Sequence, residues 1–161
     1  MPETSSKDFE NDLSISNVYY GLKGQTTEQI FKALSWKISQ DISLSSSVIY
    51  ADILRAAKNH NAAIGEGVAV IDWKCEGIKS SYVMVSMLEN SINFSDSDGL
   101  PIDIVLVLIS PKQESLTHLR HLSRLTRLFR EESILSQLRS ATCADGMISI
   151  LCPENRKIQA A

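Results

Sequence analysis

The chain has 161 residues and a formal net charge of −3 at pH 7, with 43% hydrophobic and 22% charged residues. This length fits one domain with an apolar core, and the composition is that of an ordinary globular protein. The acidic balance argues against a nucleic-acid binder, and no apolar run is long enough to insert into a membrane. The polar start of the chain is unlike a signal peptide, and its three widely spaced cysteines fit reduced thiols, so we predict a cytoplasmic protein.

Capping residues indicate the first two helices. Thr26 and Gln29 have the spacing of a capping box, and apolar residues then recur at helical intervals to about Asp41. Serines at 45–47 offer N-caps for a second helix, which we expect to end near residues 59–61.

A tight glycine turn leads into the most informative segment. Gly65 and Gly67 flank one acidic residue and precede the apolar run 68–71, which predicts a turn and then a buried strand. The run stops at Asp72-Trp73-Lys74, so we expect a carboxylate, an indole and an ammonium group where the strand ends. Strand ends on a rigid scaffold often carry function, and these three residues are therefore candidates for a binding or catalytic site.

Further strands are expected on both sides of this segment. Residues 81–88 are largely apolar on both faces, and residues 102–110 have the strongest strand pattern, typical of a central, fully buried strand. A short separate strand is predicted at 92–94. The segment 13–22 fits either a short strand or a turn of helix.

The C-terminal part of the chain is predicted to be helical. A long helix at 114–129 has a stripe of large apolar residues, and shorter helices follow at about 131–140 and 144–151. The predicted apolar stripe consists of Leu116, Leu119, Leu122, Leu125 and Phe129. Arginines 120, 124, 127 and 130 either form a solvated face or contact an acidic partner.

Strands in the middle and helices at both ends predict one α/β domain. We place this domain at residues 13–152. Residues 1–12 are rich in Ser, Glu and Asp and are predicted to be a disordered arm, and residues 153–161 a polar tail.

The glycine segment resembles a known active-site motif. Gly65-x-Gly67-Val68-Ala69-Val70, then two residues and Lys74, is similar to enzyme IIA of the phosphoenolpyruvate:sugar phosphotransferase system, fructose/mannitol class. That segment usually reads G-x-G-[IV]-A-[IV]-P-H-x-[KR], and its His carries the phosphoryl group. In this chain Ile71 stands at the Pro position and Asp72 at the His position, so the phosphorylatable residue is missing.

Three further segments resemble the nitrogen-regulatory branch of that family. They are Leu88-Glu89-x-x-Ile92-x-Phe94 with Gly99-x-Pro101-Ile102-Asp103, Thr117-His118-Leu119 with Leu122-Ser123, and Leu138-Arg139 with Ala141. The resemblance runs from about residue 13 to residue 151. It implies the fold of that family, a single α/β domain with a mixed central sheet flanked by helices.

The resemblance leaves three hypotheses for Asp72. Its carboxylate could imitate the phosphorylated state, with one negative charge against about −1.5 to −2 for a phosphoryl group. It could be a leftover of lost function, paired with Lys74. It could also be phosphorylated itself, although acyl phosphate formation normally needs Mg²⁺ or clamping cations.

The resemblance places His118 at the family's second histidine, which lies beside the phosphorylated one and helps to bind the phosphoryl group. The alternative is a helix histidine that is hydrogen-bonded near the sheet edge. His118 and His121 have a spacing that can bind metal, but no third ligand accompanies them, and we predict no metal and no cofactor. Ala56-Ala57 and Asn61-Ala62-Ala63 replace residues that would hold phosphate in the family, which argues against a working phosphotransferase pocket.

These features predict a regulatory protein-binding module with a degenerate active site around Asp72 and His118, with Gly65, Gly67, Trp73 and Lys74 as binding residues. The alternative is an active phosphocarrier that uses His118 or Asp72 as the acceptor, so enzymatic activity is left open. The resemblance implies as partners an HPr-type phosphocarrier or regulatory targets such as a sensor kinase or a potassium transporter.

Overall fold

The computed structural model describes residues 13–59, 62–94 and 101–152. The predicted arm at 1–12, the polar tail at 153–161 and the substituted Asn61 lie outside the described residues. In the part of the chain that is described, no helix combines the length and the apolar character needed to cross a membrane.

Five strands of the described residues form one mixed sheet. The strands are β1 Asn17–Leu22, β2 Ala63–Gly65, β3 Val68–Cys75, β4 Tyr82–Ile92 and β5 Ile102–Pro111. Their spatial order is β1-β4-β5-β3-β2; the pairs β1/β4 and β3/β5 are parallel, whereas β4/β5 and β2/β3 are antiparallel. The central position predicted for β5 is confirmed, and so is the mixed α/β fold.

Helices cover both faces of this sheet because its strands are apolar on both sides. The helices are α1 Thr27–Asp41, α2 Ser46–Asn59, α3 Ser115–Leu128, α4 Glu132–Ser140 and α5 Ala144–Leu151. One core lies between the sheet and α1–α2, and the other lies between the sheet and α3–α5. Residues of β3 alternate between the cores, with Ala69 and Ile71 in the first and Val68 and Val70 in the second.

The predicted helix starts are confirmed in detail. Gln29 donates its backbone N–H to Thr26 Oγ1 at 3.2 Å, which caps α1. The Gln29 side chain accepts from the backbone N–H of Gln25 at 2.7 Å, so the second bond of the motif reaches one residue further back. Ser45 caps α2 by accepting from the N–H of Val48.

Two strand predictions were wrong at their ends. β3 continues through Asp72, Trp73 and Lys74 to Cys75, because its parallel pairing with β5 extends to the pair Cys75–Pro111. The short separate strand predicted at 92–94 is not present: Ile92 is the last residue of β4, reached after a shift in the pairing with β5 between Met87 and Ile92, and residues 93 and 94 lie beyond it. The segment 13–22, for which the sequence fitted either a strand or a turn of helix, contains strand β1.

The predicted buried face of α3 was partly wrong. Leu116 and Leu119 are 74% and 60% exposed, whereas the buried residues are His118, His121 and Leu125. The two histidines are buried because the sheet side supplies polar partners. Ser81 Oγ lies 3.1 Å from His121 Nδ1, and the contacts of His118 belong to the site described below. The leucine pattern in the sequence therefore predicted a buried face of α3 that is rotated about the helix axis from the face that is actually buried.

Candidate functional site

A groove of about 560 Å³ lies between α2, β3 and α3. It exists because β2 pairs only with Val68 and Ala69, which leaves the second half of β3 as an open sheet edge. Its lining includes Asp52 and Arg55 from α2, Asp72 and Lys74 from β3, and His118 and Leu119 from α3.

His118 connects the groove to the sheet interior through both ring nitrogens. Its Nε2 lies 2.8 Å from Oδ2 of Asp72, and its Nδ1 lies 2.6 Å from Oγ of Ser110. Because a carboxylate can only accept hydrogen bonds, Nε2 is protonated and donates its N–H to the Asp72 carboxylate. Nδ1 then accepts from the Ser110 hydroxyl in the neutral ring or donates to Ser110 Oγ in the imidazolium. The side chains of His118 and Asp72 are only 7% and 16% exposed.

The strand register brings these three groups together. Parallel pairing of β3 with β5 sets Asp72 beside Leu108 and Lys74 beside Ser110, so residues 72 and 110 share one face of the sheet. The chain leaves β5 at Pro111 and enters α3 at Ser115, which returns His118 over that face. The structure thus places Asp72 and His118, two residues singled out from sequence, in direct contact.

Ser110 was missed by the sequence reasoning, since it is simply the polar end of the apolar run 102–110. Together with His118 and Asp72 it has the composition of a hydrolase triad. A triad serine must present its hydroxyl to the substrate, but Ser110 is fully buried. The trio is therefore a support for the Asp72 carboxylate, and it does not offer an accessible nucleophile.

The two cations of the groove are held by other residues. Lys74 Nζ donates to Ser115 Oγ at 3.0 Å, and Arg55 Nη1 pairs with Asp52 Oδ1 at 3.0 Å. The pairing of Asp72 with Lys74, expected under one hypothesis, is replaced by the contact with His118. Arg55 was not singled out from sequence, although its spacing from Asp52 is that of an ion pair on a helix.

Gly65 and Gly67 lie at the β2–β3 turn and not among the groove-lining residues. The turn holds three successive residues at positive φ, with Glu66 at 57° between the two glycines. Gly67 also packs tightly, since a Cβ there would lie 2.8 Å from Arg139 Nη2. The Arg139 guanidinium donates a hydrogen bond to the Glu66 carbonyl in the turn and forms a bidentate ion pair with Asp103. The positive φ angles support a structural role for both glycines, and the close contacts add a packing requirement at Gly67.

Trp73 and Cys75 lie on the other face of β3. Because side chains alternate along a strand, Trp73 lies on the face opposite Asp72 and packs against the core under α1 and α2. The residue nevertheless contributes to the lining of the groove, as the sequence-based prediction of a binding residue requires. Its buried Nε1 has no hydrogen-bond partner within the described residues. Burial and the negative charge of Asp52 raise the pKa of the Cys75 thiol, so it is protonated at neutral pH and is a poor nucleophile.

The class of this protein follows from comparison of the whole domain with known families. The family model described as "Phosphoenolpyruvate-dependent sugar phosphotransferase system, EIIA 2" matches residues 13–152, and the chain belongs to this family. The chain is 28% identical to the nitrogen regulatory protein of Bradyrhizobium diazoefficiens over 130 residues, which cover 81% of this chain and 85% of that protein.

Two solved structures show the same fold. The nitrogen regulatory protein IIA-Ntr of Neisseria meningitidis aligns with a TM-score of 0.76 and 22% identity, over 84% of this chain and 92% of that one. The complex of enzyme IIA-mannitol with phosphorylated enzyme IIB-mannitol from Escherichia coli contains a chain that aligns with a TM-score of 0.68 and 18% identity. That alignment covers 88% of this chain and 97% of the other.

Proposed function

We propose that this protein is a nitrogen-regulatory type of enzyme IIA that acts by binding other proteins and takes up no phosphoryl group at the position usual for the family. The proposal rests on one observation. The Asp72 carboxylate accepts a hydrogen bond from His118 Nε2 at 2.8 Å, at the edge of a groove open to solvent. By the resemblance given above, Asp72 stands at the phosphorylated histidine and His118 at its neighbour, which helps to bind the phosphoryl group.

The carboxylate thus makes the contact that a bound phosphoryl group makes with the second histidine in the family. Its one negative charge is smaller than the value of about −1.5 to −2 for a phosphoryl group. The imitation is therefore partial, but it is permanent. A partner that distinguishes phosphorylated from unphosphorylated enzyme IIA meets a protein in a single, fixed state.

The alternative, an active phosphocarrier that uses His118 or Asp72 as the acceptor, is less well supported by the contacts in the groove. A histidine attacks phosphorus with an unprotonated ring nitrogen. In His118, Nε2 is protonated and donates a hydrogen bond to Asp72, and Nδ1 faces the buried Ser110. Phosphorylation of Asp72 needs cations to neutralise the transferred group. Of the cations that line the groove, Arg55 is paired with Asp52, whereas Lys74 donates to the uncharged Ser115 hydroxyl and keeps its charge. A lysine alone supplies less neutralisation than the Mg²⁺ and clamping cations that phosphoryl transfer normally uses.

The family relationship also suggests the partners and the compartment. A similar enzyme IIA domain is seen in complex with a phosphorylated IIB protein. For this chain we propose an HPr-type carrier and regulatory targets such as a sensor kinase or a potassium transporter, met in the cytoplasm. The groove and its rim are the surface on which these partners would dock.

A phosphotransfer assay separates the two functions. The protein and its Asp72→Ala and His118→Ala variants are incubated with labelled phosphoenolpyruvate, enzyme I and the HPr-type carrier, and protein-bound label is counted. A nitrogen-regulatory relative with the usual histidine is the positive control. We expect the parent protein to carry no more label than either variant.

Label on the parent that disappears in either variant would overturn the proposal. The chemistry of the bond then identifies the acceptor, since phosphohistidine is labile in acid and stable in base, whereas an acyl phosphate is cleaved by base and hydroxylamine. The Asp72→His variant shows whether an imidazole alone restores uptake in a pocket with Ala56 and Ala57 in place of the family's charged pair.

A further inference from the structure

We propose that Ser110 is a positioning residue that keeps the His118 ring in contact with Asp72 whether the ring is neutral or protonated. This inference rests on the proposed function, because it names how the geometry of the site is maintained when the pH changes. It is carried by the hydrogen bond between Ser110 Oγ and His118 Nδ1, whose two atoms lie 2.6 Å apart.

The Ser110 hydroxyl lies at the end of β5, beneath α3. Ser110 is fully buried, and a buried hydroxyl needs a hydrogen-bond partner to offset its lost contact with water. Within the described residues its partner is His118, on the helix above the sheet. Ser86, another fully buried serine of the sheet, instead donates to the Val105 carbonyl at 2.9 Å, inside the sheet. The hydroxyl of Ser110 thus serves the histidine and not the sheet.

A serine hydroxyl differs from the usual partners of a histidine Nδ1. A backbone carbonyl or a carboxylate can only accept, so it requires a proton on Nδ1. Since Asp72 already accepts from Nε2, such a partner would require a permanent imidazolium. The Ser110 hydroxyl can rotate, so it donates to Nδ1 of the neutral ring and accepts from Nδ1 of the imidazolium. Nε2 keeps its proton and its bond to Asp72 in both forms.

The titratable and charged groups that line the groove with the ring, or lie one helical turn from it, come from β3, α2 and α3. They are Asp72, Lys74, Asp52, Arg55, Glu114 and His121. Of these groups, Asp72 contacts Nε2 of His118, and His121 is held by a different serine, Ser81, at 3.1 Å. In the part of the chain that is described, Nδ1 of His118 contacts the Ser110 hydroxyl and none of these charged groups. Loss of this hydroxyl therefore leaves Nδ1 without a partner.

Removal of the hydroxyl should affect the ring most in its protonated form. In Ser110→Ala the neutral ring has an unpaired buried acceptor, whereas the imidazolium has an unpaired buried donor. An unpaired donor on a charged group costs more free energy than an unpaired acceptor on a neutral group. Because His118 lines the open groove, we expect the protonated ring to turn toward water and to leave Asp72.

The test follows the Nε2–H proton of His118 by long-range ¹H–¹⁵N correlation from about pH 8 to about pH 5, the range in which histidines usually change charge. The variants are Ser110→Ala, Ser110→Thr and Ser110→Cys, and His121→Gln identifies the signals of the other buried histidine. Threonine keeps the hydroxyl, whereas a cysteine thiol is only a weak donor and acceptor. The matched control is Ser86→Ala, which removes a fully buried serine hydroxyl from the neighbouring strand without touching His118.

We expect the Nε2–H signal at both ends of this pH range in the parent protein, in Ser110→Thr and in Ser86→Ala. In Ser110→Ala and Ser110→Cys it should be weaker at neutral pH and lost at acidic pH. A Ser110→Ala signal equal to that of the parent over the whole range would overturn the proposal, and so would an equal loss in Ser86→Ala. Circular dichroism checks folding, and if alanine prevents it, Ser110→Cys against the parent decides in the same way.

The two proposals fail separately in these experiments. Label on the parent protein in the phosphotransfer assay refutes the fixed-state function, whatever the Ser110 variants show. An Nε2–H signal that is present in the parent and unaffected in Ser110→Ala and Ser110→Cys refutes only the role of Ser110. It leaves the contact of His118 with Asp72, and with it the proposed function, standing.

Discussion

Replacing Leu125 by alanine should lower the free energy of unfolding by about 3–5 kcal/mol, the range for a buried leucine that leaves a cavity. Leu125 is only 1% exposed and packs in the core between α3 and the sheet. The same replacement of Leu116 or Leu119 should change the stability by less than about 0.5 kcal/mol, because both side chains lie in water. Urea denaturation of the three variants measures these differences.

The comparison isolates burial, since all three variants make the same chemical change within one helix. The gain in helix propensity from leucine to alanine is also shared by the three. A Leu116→Ala variant that loses as much stability as Leu125→Ala would show that α3 is rotated and buries the leucine stripe expected from the sequence.

Replacing Gly67 by alanine should destabilise the fold by about 2–5 kcal/mol, combining a left-handed backbone penalty with steric overlap. Gly67 has φ +79°, and an added Cβ would lie 2.8 Å from Arg139 Nη2, 3.1 Å from Asp103 Oδ1 and 3.2 Å from the Pro101 carbonyl oxygen. The ion pair and the backbone both resist displacement. Thermal or urea unfolding monitored by circular dichroism measures the loss.

Gly21 provides a matched control for this prediction. Its φ of +78° is nearly the same, but nothing lies within 4 Å of a Cβ built there. Gly21→Ala should therefore cost only the backbone term, about 1–2 kcal/mol. If both variants lose the same stability, the close packing of the turn against Arg139 contributes nothing, and the structural role assigned to Gly67 is wrong.

Local patterns predicted most of the fold but not the length of β3. The buried strands β4 and β5 follow from their continuous apolar runs, and the starts of α1 and α2 follow from Thr26 and the serines at 45–47. The polar residues Asp72, Trp73 and Lys74 predicted the end of a strand. Pairing with β5 carries the strand through them, and such long-range pairing leaves no signal in a local window.

The site was also predicted only in part, because long-range packing brings some of its residues together. Asp72 and His118 were identified by resemblance to a motif, and the structure places them 2.8 Å apart. Ser110 and Arg55 belong to no motif and become visible only when β5 and α2 are placed beside β3. The burial of His118 and His121 was also hidden, because a histidine reads as polar until its hydrogen-bond partners on the sheet are known.

The most direct test of the central claim is the protonation of the His118 ring, measured at neutral pH by long-range ¹H–¹⁵N correlation. The chain contains three histidines, so assignment needs only His60→Gln and His121→Gln variants. Because the Asp72 carboxylate accepts from Nε2, we expect a protonated Nε2 whose signal shifts clearly in Asp72→Asn. An unprotonated Nε2, unaffected by Asp72→Asn, would mean that the carboxylate does not occupy this nitrogen, that a free acceptor is present, and that the fixed-state account is wrong.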